Sequence, residues 1–214
     1  MQAIISIVLS VASLALSGVT LWLTQFQHGQ LKMTQPALLC MLREKPSGRY
    51  KLFLRSLMYS TASKGIAVET MFARIKTNYG TYNFDFWGHT DSGKLTLGSG
   101  LFVGSSGVCA DHHFNPRRDA SEFIFCDGNY HIQIFAKTVG TKNIIELKKL
   151  NFGIDGNQAA ELIQIPDTEL YVYWNAEEQK YETELRRGDK PTVPPAWPSW
   201  FERGGEHISD SEEP

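Results

Sequence analysis

Between Ala3 and Thr24 the chain carries no charged side chain, and the run reads AIISIVLSVASLALSGVTLWLT. A helix rising about 1.5 Å per residue would stretch this segment to about 33 Å, enough to cross a hydrocarbon core of roughly 30 Å. No fold built from this chain can leave such a segment in water. A cleaved signal peptide would want a basic leading region and a shorter apolar stretch. Here no Lys or Arg precedes the run, and apolar residues continue past Ala15 and Ser17 to Leu23. Residues 1–24 are therefore expected to be a single, uncleaved transmembrane anchor in contact with the lipid bilayer.

The hydroxyl residues of the anchor are ordered. Ser6, Ser10, Ser13, Ser17, Thr20 and Thr24 follow each other by alternate steps of four and three, which puts all six on one helical face. A hydroxyl can bond back to the carbonyl four residues earlier, so each is tolerated without a partner. Their shared face is a stronger signal, because small residues let two helices approach and lipid does not reward exposing them. The stripe is read as a packing face for another transmembrane helix, from a second copy or from a partner protein. Downstream stand Lys32, Arg43, Lys45, Arg49, Lys51 and Arg55 against Glu44 alone. The positive-inside rule then puts the body of the protein in the cytoplasm.

The rest of the chain divides by composition. Residues 25–35 (QFQHGQLKMTQ) form a polar connector, 36–187 a folded domain, and 188–214 a Pro- and Trp-rich, acidic tail. Over the whole chain 21 basic residues balance 23 acidic ones, which excludes nucleic acid as the main partner. Three cysteines, Cys40, Cys109 and Cys126, form no CxxC pair and no disulfide framework. A single Cys109–Cys126 bridge stays open, and free thiols suit the cytoplasmic side.

Within 36–187 the apolar period is that of strands. Tyr50, Leu52 and Leu54 alternate with Lys51, Phe53 and Arg55. Tyr82, Phe84 and Phe86 alternate with Thr81, Asn83 and Asp85, and Tyr130, Ile132, Ile134 and Ala136 with their polar neighbours. Further strands are expected at 37–42, 66–75, 94–103, 121–126, 143–150 and 169–175, separated by Gly-, Asn- and Asp-bearing turns. One short helix is expected at 155–164, capped by Asp155 and stopped by Pro166. Many short strands with one helix predict a mainly β chain, an antiparallel sandwich behind a transmembrane helix.

The stretch DGNYHIQIFAKTVGTKNIIELKKL (Asp127 to Leu150) resembles the last hairpin of immunoglobulin-like sandwiches. The resemblance implies a tyrosine corner at Tyr130, with its ring inside and its hydroxyl tied to upstream backbone. The Cys…Trp…Cys core of antibody domains is missing, so a disulfide-free relative is implied. Through LWLTQFQHGQLKMTQP (Leu21 to Pro36), LFLRSLMYSTASKG (Leu52 to Gly65) and GSGLFVG (Gly98 to Gly104), the chain also resembles uncharacterised bacterial proteins that join one N-terminal helix to a β-rich domain. That resemblance implies a bacterial inner-membrane location and no activity.

Metal-capable residues gather at Cys109, Asp111, His112 and His113, with Asp119, Glu122 and Cys126 following. Their spacing matches no standard zinc pattern, and on an extended strand His112 and His113 point to opposite faces. A Cys–His nucleophile would need a base and an oxyanion hole that nothing here indicates. Gly98–Gly107 lacks the Lys and the helix of a phosphate loop and is read as a turn or bulge. Arg117-Arg118 is read as solvated loop charge. In the tail, Trp197, Trp200 and Phe201 interleave with Pro191, Pro194, Pro195 and Pro198 and are read as partner-binding residues.

The expectation is thus a non-enzymatic, membrane-anchored interaction or sensing module with no cofactor. The alternatives are a metal sensor or metalloenzyme using Cys109, His112 and His113, and an exported ligand-binding sandwich.

Overall fold

The computed structural model describes residues 2–22, 29–43, 48–91, 94–97, 100–117, 122–165 and 167–187. In chain order the elements are α1 (Gln2–Leu21), β1 (Leu31–Met33), β2 (Leu38–Arg43), β3 (Tyr50–Ser60), β4 (Ile66–Lys76), β5 (Thr81–Phe84), β6 (Phe86–Asp91), β7 (Lys94–Leu97), β8 (Leu101–Val103), β9 (Val108–Asn115), β10 (Gly128–Thr138), β11 (Ile144–Ile154), α2 (Gly156–Gln164), β12 (Thr168–Asn175) and β13 (Lys180–Arg187). Thr24 and the tail residues Trp197, Trp200 and Phe201 lie outside the described residues.

Two antiparallel sheets face each other. The larger has eight strands in the order β13-β12-β2-β3-β9-β6-β7, with β1 also pairing β3; the smaller has five, β11-β10-β4-β5, with β8 pairing β4. Label β2 to β6 as A, B, C, C′ and D, and β9 to β11 as E, F and G. The sheets then read A-B-E-D and G-F-C-C′, the strand order of immunoglobulin sandwiches. To this frame the chain adds the β12–β13 hairpin outside β2, β7 outside β6, and β1 beside β3. Helix α2 carries the chain from β11 in one sheet to β12 in the other. Asp155 accepts from Gln158 N–H at 2.8 Å and its own N–H donates to Gln158 Oε1 at 3.1 Å, closing a capping box.

The core follows the predicted alternation where strands are long. Tyr130, Ile132, Ile134 and Ala136 of β10 face Leu52, Leu54 and Met58 of β3 across one buried cluster. The tyrosine corner forms: Tyr130 Oη donates to Cys126 O at 2.7 Å and accepts from Cys126 N–H at 2.9 Å. The turn before it needs Gly128, whose φ is +114° and where a Cβ would run into Asn78.

Elsewhere the sequence expectations need correction. The run through Tyr82, Phe84 and Phe86 is not one strand. The chain leaves the small sheet after Phe84 and joins the large one at Phe86. The inward parity changes there, so Trp87 and His89 are buried while Phe86 is exposed. Residues 94–103 likewise divide into β7 of one sheet and β8 of the other. No strand forms over the described part of 121–126. Phe123 and Phe125 are nonetheless buried, their rings edge-on to Tyr50 at 5.8 and 4.7 Å, so this loop closes one end of the sandwich. The Cys109–His113 cluster lies on β9, a central strand between β3 and β6. β13 was not anticipated, because KYETELRR is charged on alternate positions and has little apolar signal.

Candidate functional site

β9 distributes the Cys/His cluster by the pleat of the strand. Ala110, His112 and Phe114 are buried toward the core, while Cys109, Asp111 and His113 lie on the outer face. Four residues along a strand span about 13 Å, so Cys109 and His113 are far apart even on their shared face. Among the described residues no group of three His, Cys, Asp or Glu side chains can hold a metal ion. The structure therefore does not bring together Cys109, His112 and His113 as ligands, and that alternative is set aside.

The two histidines have separate roles. His112 stands opposite His89 of β6. Its Nδ1 accepts from Trp87 Nε1 at 3.3 Å, and its Nε2 has no hydrogen-bond partner among the described residues. Burial, with the neighbouring His89 and His113, lowers its pKa to about 3, so the ring is neutral. His113 meets Thr90 Oγ1 at 3.0 Å and Phe53 edge-on at 4.7 Å. Burial and the nearby Lys51 lower its pKa to about 4. The outer-face Asp111 is 3.7 Å from Arg55 Nε, and burial outweighs that pairing to raise its carboxyl.

Sequence reasoning missed the outer face of the large sheet. Registers align Tyr171 with Cys40, Cys40 with Phe53, Phe53 with His113, His113 with Gly88, and Gly88 with Leu97. One line of apolar and aromatic residues thus crosses six strands on the side that normally faces water. Leu38, Cys40 and Tyr171 form a second buried cluster there, with Leu42, Phe53 and Tyr173 packed against it. The Arg186 guanidinium lies 4.6 Å from the Tyr171 ring centre and 5.6 Å from that of Tyr173. Tyr171 Oη donates to Glu169 Oε2 at 2.9 Å. Burial, then Glu169, pushes the Cys40 thiol well above its usual range. Gly88 leaves room on the line: Leu97 Cδ2 lies 3.0 Å from where its Cβ would be, and both Leu95 and Leu97 are exposed. Cys40 and His113 are two strands apart, about 10 Å, too far for a nucleophile and its base. The chemistry on offer is apolar and aromatic contact.

The hydroxyl stripe of α1 has a defined hydrogen-bond state. Ser6, Ser10, Ser17 and Thr20 donate to Gln2 O, Ser6 O, Ser13 O and Leu16 O at 3.2, 2.9, 2.8 and 2.8 Å. Each of these four hydroxyl protons is used within the helix, leaving an oxygen lone pair and a small outline on the stripe.

No protein-family model matches the chain, and no curated protein matches its sequence. Among solved structures, the CooA pilin subunit from enterotoxigenic Escherichia coli aligns over 58% of this chain and 98% of its own, with 8% identity and a TM-score of 0.31. A family 123 glycoside hydrolase from Clostridium perfringens, solved in work on glycolipid glycan hydrolysis, aligns over 50% of this chain and 21% of its own, with 14% identity and a TM-score of 0.30. Likeness at this level carries neither protein's role to this chain.

Proposed function

We propose that the chain is a non-enzymatic, single-pass membrane protein whose sandwich is an interaction module on the cytoplasmic side of a bacterial inner membrane. The observation that carries this reading is α1. Ten large apolar side chains from Ile4 to Leu21 are exposed, and none of the 20 helical residues is buried against the sandwich. At roughly 1.5–3 kcal/mol for each such side chain, leaving them in water costs more than about 15 kcal/mol, the whole stability of an ordinary domain. A bilayer removes that cost. The length suits it, since 20 residues reach about 30 Å. A signal sequence meets the same length test, and the continuation of the apolar run past Ala15 and Ser17 to Leu23 favours the anchor.

The contact surface is the outer face around Phe53, Tyr173, Leu95 and Leu97, rimmed by Arg186. Aromatic residues and Arg dominate binding energy at protein interfaces. Trp197, Trp200 and Phe201 serve as a second contact in the same role. The stripe of Ser6, Ser10, Ser13, Ser17, Thr20 and Thr24 packs the anchor against a second transmembrane helix. The deciding experiment is alkaline extraction of membranes with intact-mass measurement of the retained chain. The full mass in the membrane pellet supports the anchor; a chain beginning after Leu23, or release without detergent, overturns it. For the stripe, replacing Ser10, Ser13 and Ser17 with Leu is expected to weaken association in a membrane two-hybrid assay, and an unchanged signal removes the helix partner.

A further inference from the structure

The inference rests on the anchored reading above and concerns the end of the sandwich where the anchor arrives. Gly29 and Gln30 lie on the β3–β4 turn. Gln30 N–H donates to Thr61 Oγ1 at 2.8 Å and Thr61 N–H donates to Gln30 O at 3.1 Å. At Gly29 a side chain would strike Ser60 and Ala62, so the chain is pressed against that turn. The β10–β11 hairpin reaches the same end, with Val139 N–H donating to Ala67 O at 2.9 Å. Between the two turns opens a cleft of about 710 Å³, lined in part by Lys32, Lys64 and Val139. Phe102 lies over Gly65, where a Cβ would overlap its ring.

Residues 23–28 are all that separate Trp22 from the docked Gly29. Fully extended, that span is at most about 25 Å. This end of the domain is therefore held close to the membrane surface. Its chemistry suits that surface. Phe102, Val139 and Ile144 are 68, 63 and 57% exposed, although each is a large apolar side chain. Lys32, Lys64 and Lys142 are exposed beside them. The neighbouring acids are already neutralised: Glu69 pairs with Lys137 at 2.8 Å and Glu146 with Lys149 at 3.1 Å.

We propose that this end of the sandwich rests on the headgroup layer of the anionic bilayer that holds α1. Lys32, Lys64 and Lys142 meet the lipid phosphates, and Phe102, Val139 and Ile144 dip into the interface. Apolar tips ringed by lysines are how a protein lies on a membrane rather than in it. The attraction decays within a Debye length of roughly 8–10 Å, and the short tether keeps the lysines within reach of that layer. The consequence is orientation: the outer face of the large sheet stands upright from the membrane instead of tumbling on a loose leash.

The test is amide hydrogen exchange on the full chain in nanodiscs, of phosphatidylcholine alone or with added phosphatidylglycerol. Each lysine at an anionic surface strengthens attachment roughly fivefold. Exchange in the turns at 61–65 and 139–143 is expected to slow several-fold in the anionic discs, while the far turn at 77–80 stays unchanged. The double variant Lys64→Glu and Lys142→Glu is expected to lose that protection while melting at the wild-type temperature. Equal exchange at 61–65 in both discs, with the chain retained, overturns the inference and leaves the anchor standing. A chain that does not stay in either disc overturns the anchor itself.

Discussion

Changing Tyr130 to Phe removes one oxygen from the end of a buried ring. That oxygen bridges the N–H and C=O of Cys126, at 2.9 and 2.7 Å. The ring itself is wholly buried and stacks on Phe152 at 5.2 Å, so Phe keeps the packing and isolates the hydroxyl. Leaving a buried main-chain donor or acceptor without a partner costs about 1–3 kcal/mol each. Cys126 is half-buried, so water recovers part of this, and the net loss is expected to be about 2–3 kcal/mol. For a domain of this size that is a fall of roughly 4–12 °C in Tm. Urea unfolding of the full chain in mild detergent, followed by tryptophan fluorescence, measures it, with an unchanged slope as the check on mechanism. Tyr79→Phe is the control. Its hydroxyl donates to Asp127 Oδ1 at 3.3 Å in an exposed setting and is expected to matter by less than about 0.5 kcal/mol. If Tyr130→Phe falls within that same margin, the corner does not brace the sandwich and the argument fails.

Two further outcomes follow from buried titratable groups. His112 and His113 have pKa values lowered from 6.5 to about 3 and about 4, so both are neutral in the fold. Their contribution is complete above the unfolded value and is lost as pH falls below it, on the order of 3 kcal/mol for each by pH 4. Urea midpoints are expected to fall steadily between pH 6.5 and 4.5, and a flat profile contradicts neutral burial. Among the thiols, Cys109 is exposed, Cys126 intermediate and Cys40 buried with a raised pKa. A maleimide is expected to modify Cys109 first and Cys40 only on unfolding; early labelling of Cys40 contradicts the outer-face cluster.

Local chemistry made parts of this fold readable in advance. The alternation in β3 and β10 and the Asp155 cap each involve residues within a few positions of one another. So does the parting of His112 and His113, which the pleat dictates. The tyrosine corner is instead implied by the resemblance of Asp127 to Leu150 to an immunoglobulin-like hairpin. The change of sheet at Asp85 was hidden, because the alternation reads straight through it and only the facing strands reveal that Trp87 takes the inward place. The outer-face line was hidden for a similar reason. LLCML in β2 reads as apolar on both sides, and its join to Tyr171, Phe53 and His113 depends on registers between segments up to about 130 residues apart. The pairing of His89 with His112 is likewise a matter of register.

β1 is only three residues long, yet together with Gly29 and Gln30 it fastens the stretch after the leading helix to the sandwich. Any pull from the leading helix loads the two Gln30–Thr61 hydrogen bonds first and then the Leu31 end of β1, where the ladder to β3 begins at Ser60. Such a load opens hydrogen bonds one after another, as a zip does, so the resistance comes chiefly from drawing Leu31 and Met33 out of the core. The sandwich behind it can stay intact while this clasp lets go, freeing several residues before any long strand is disturbed.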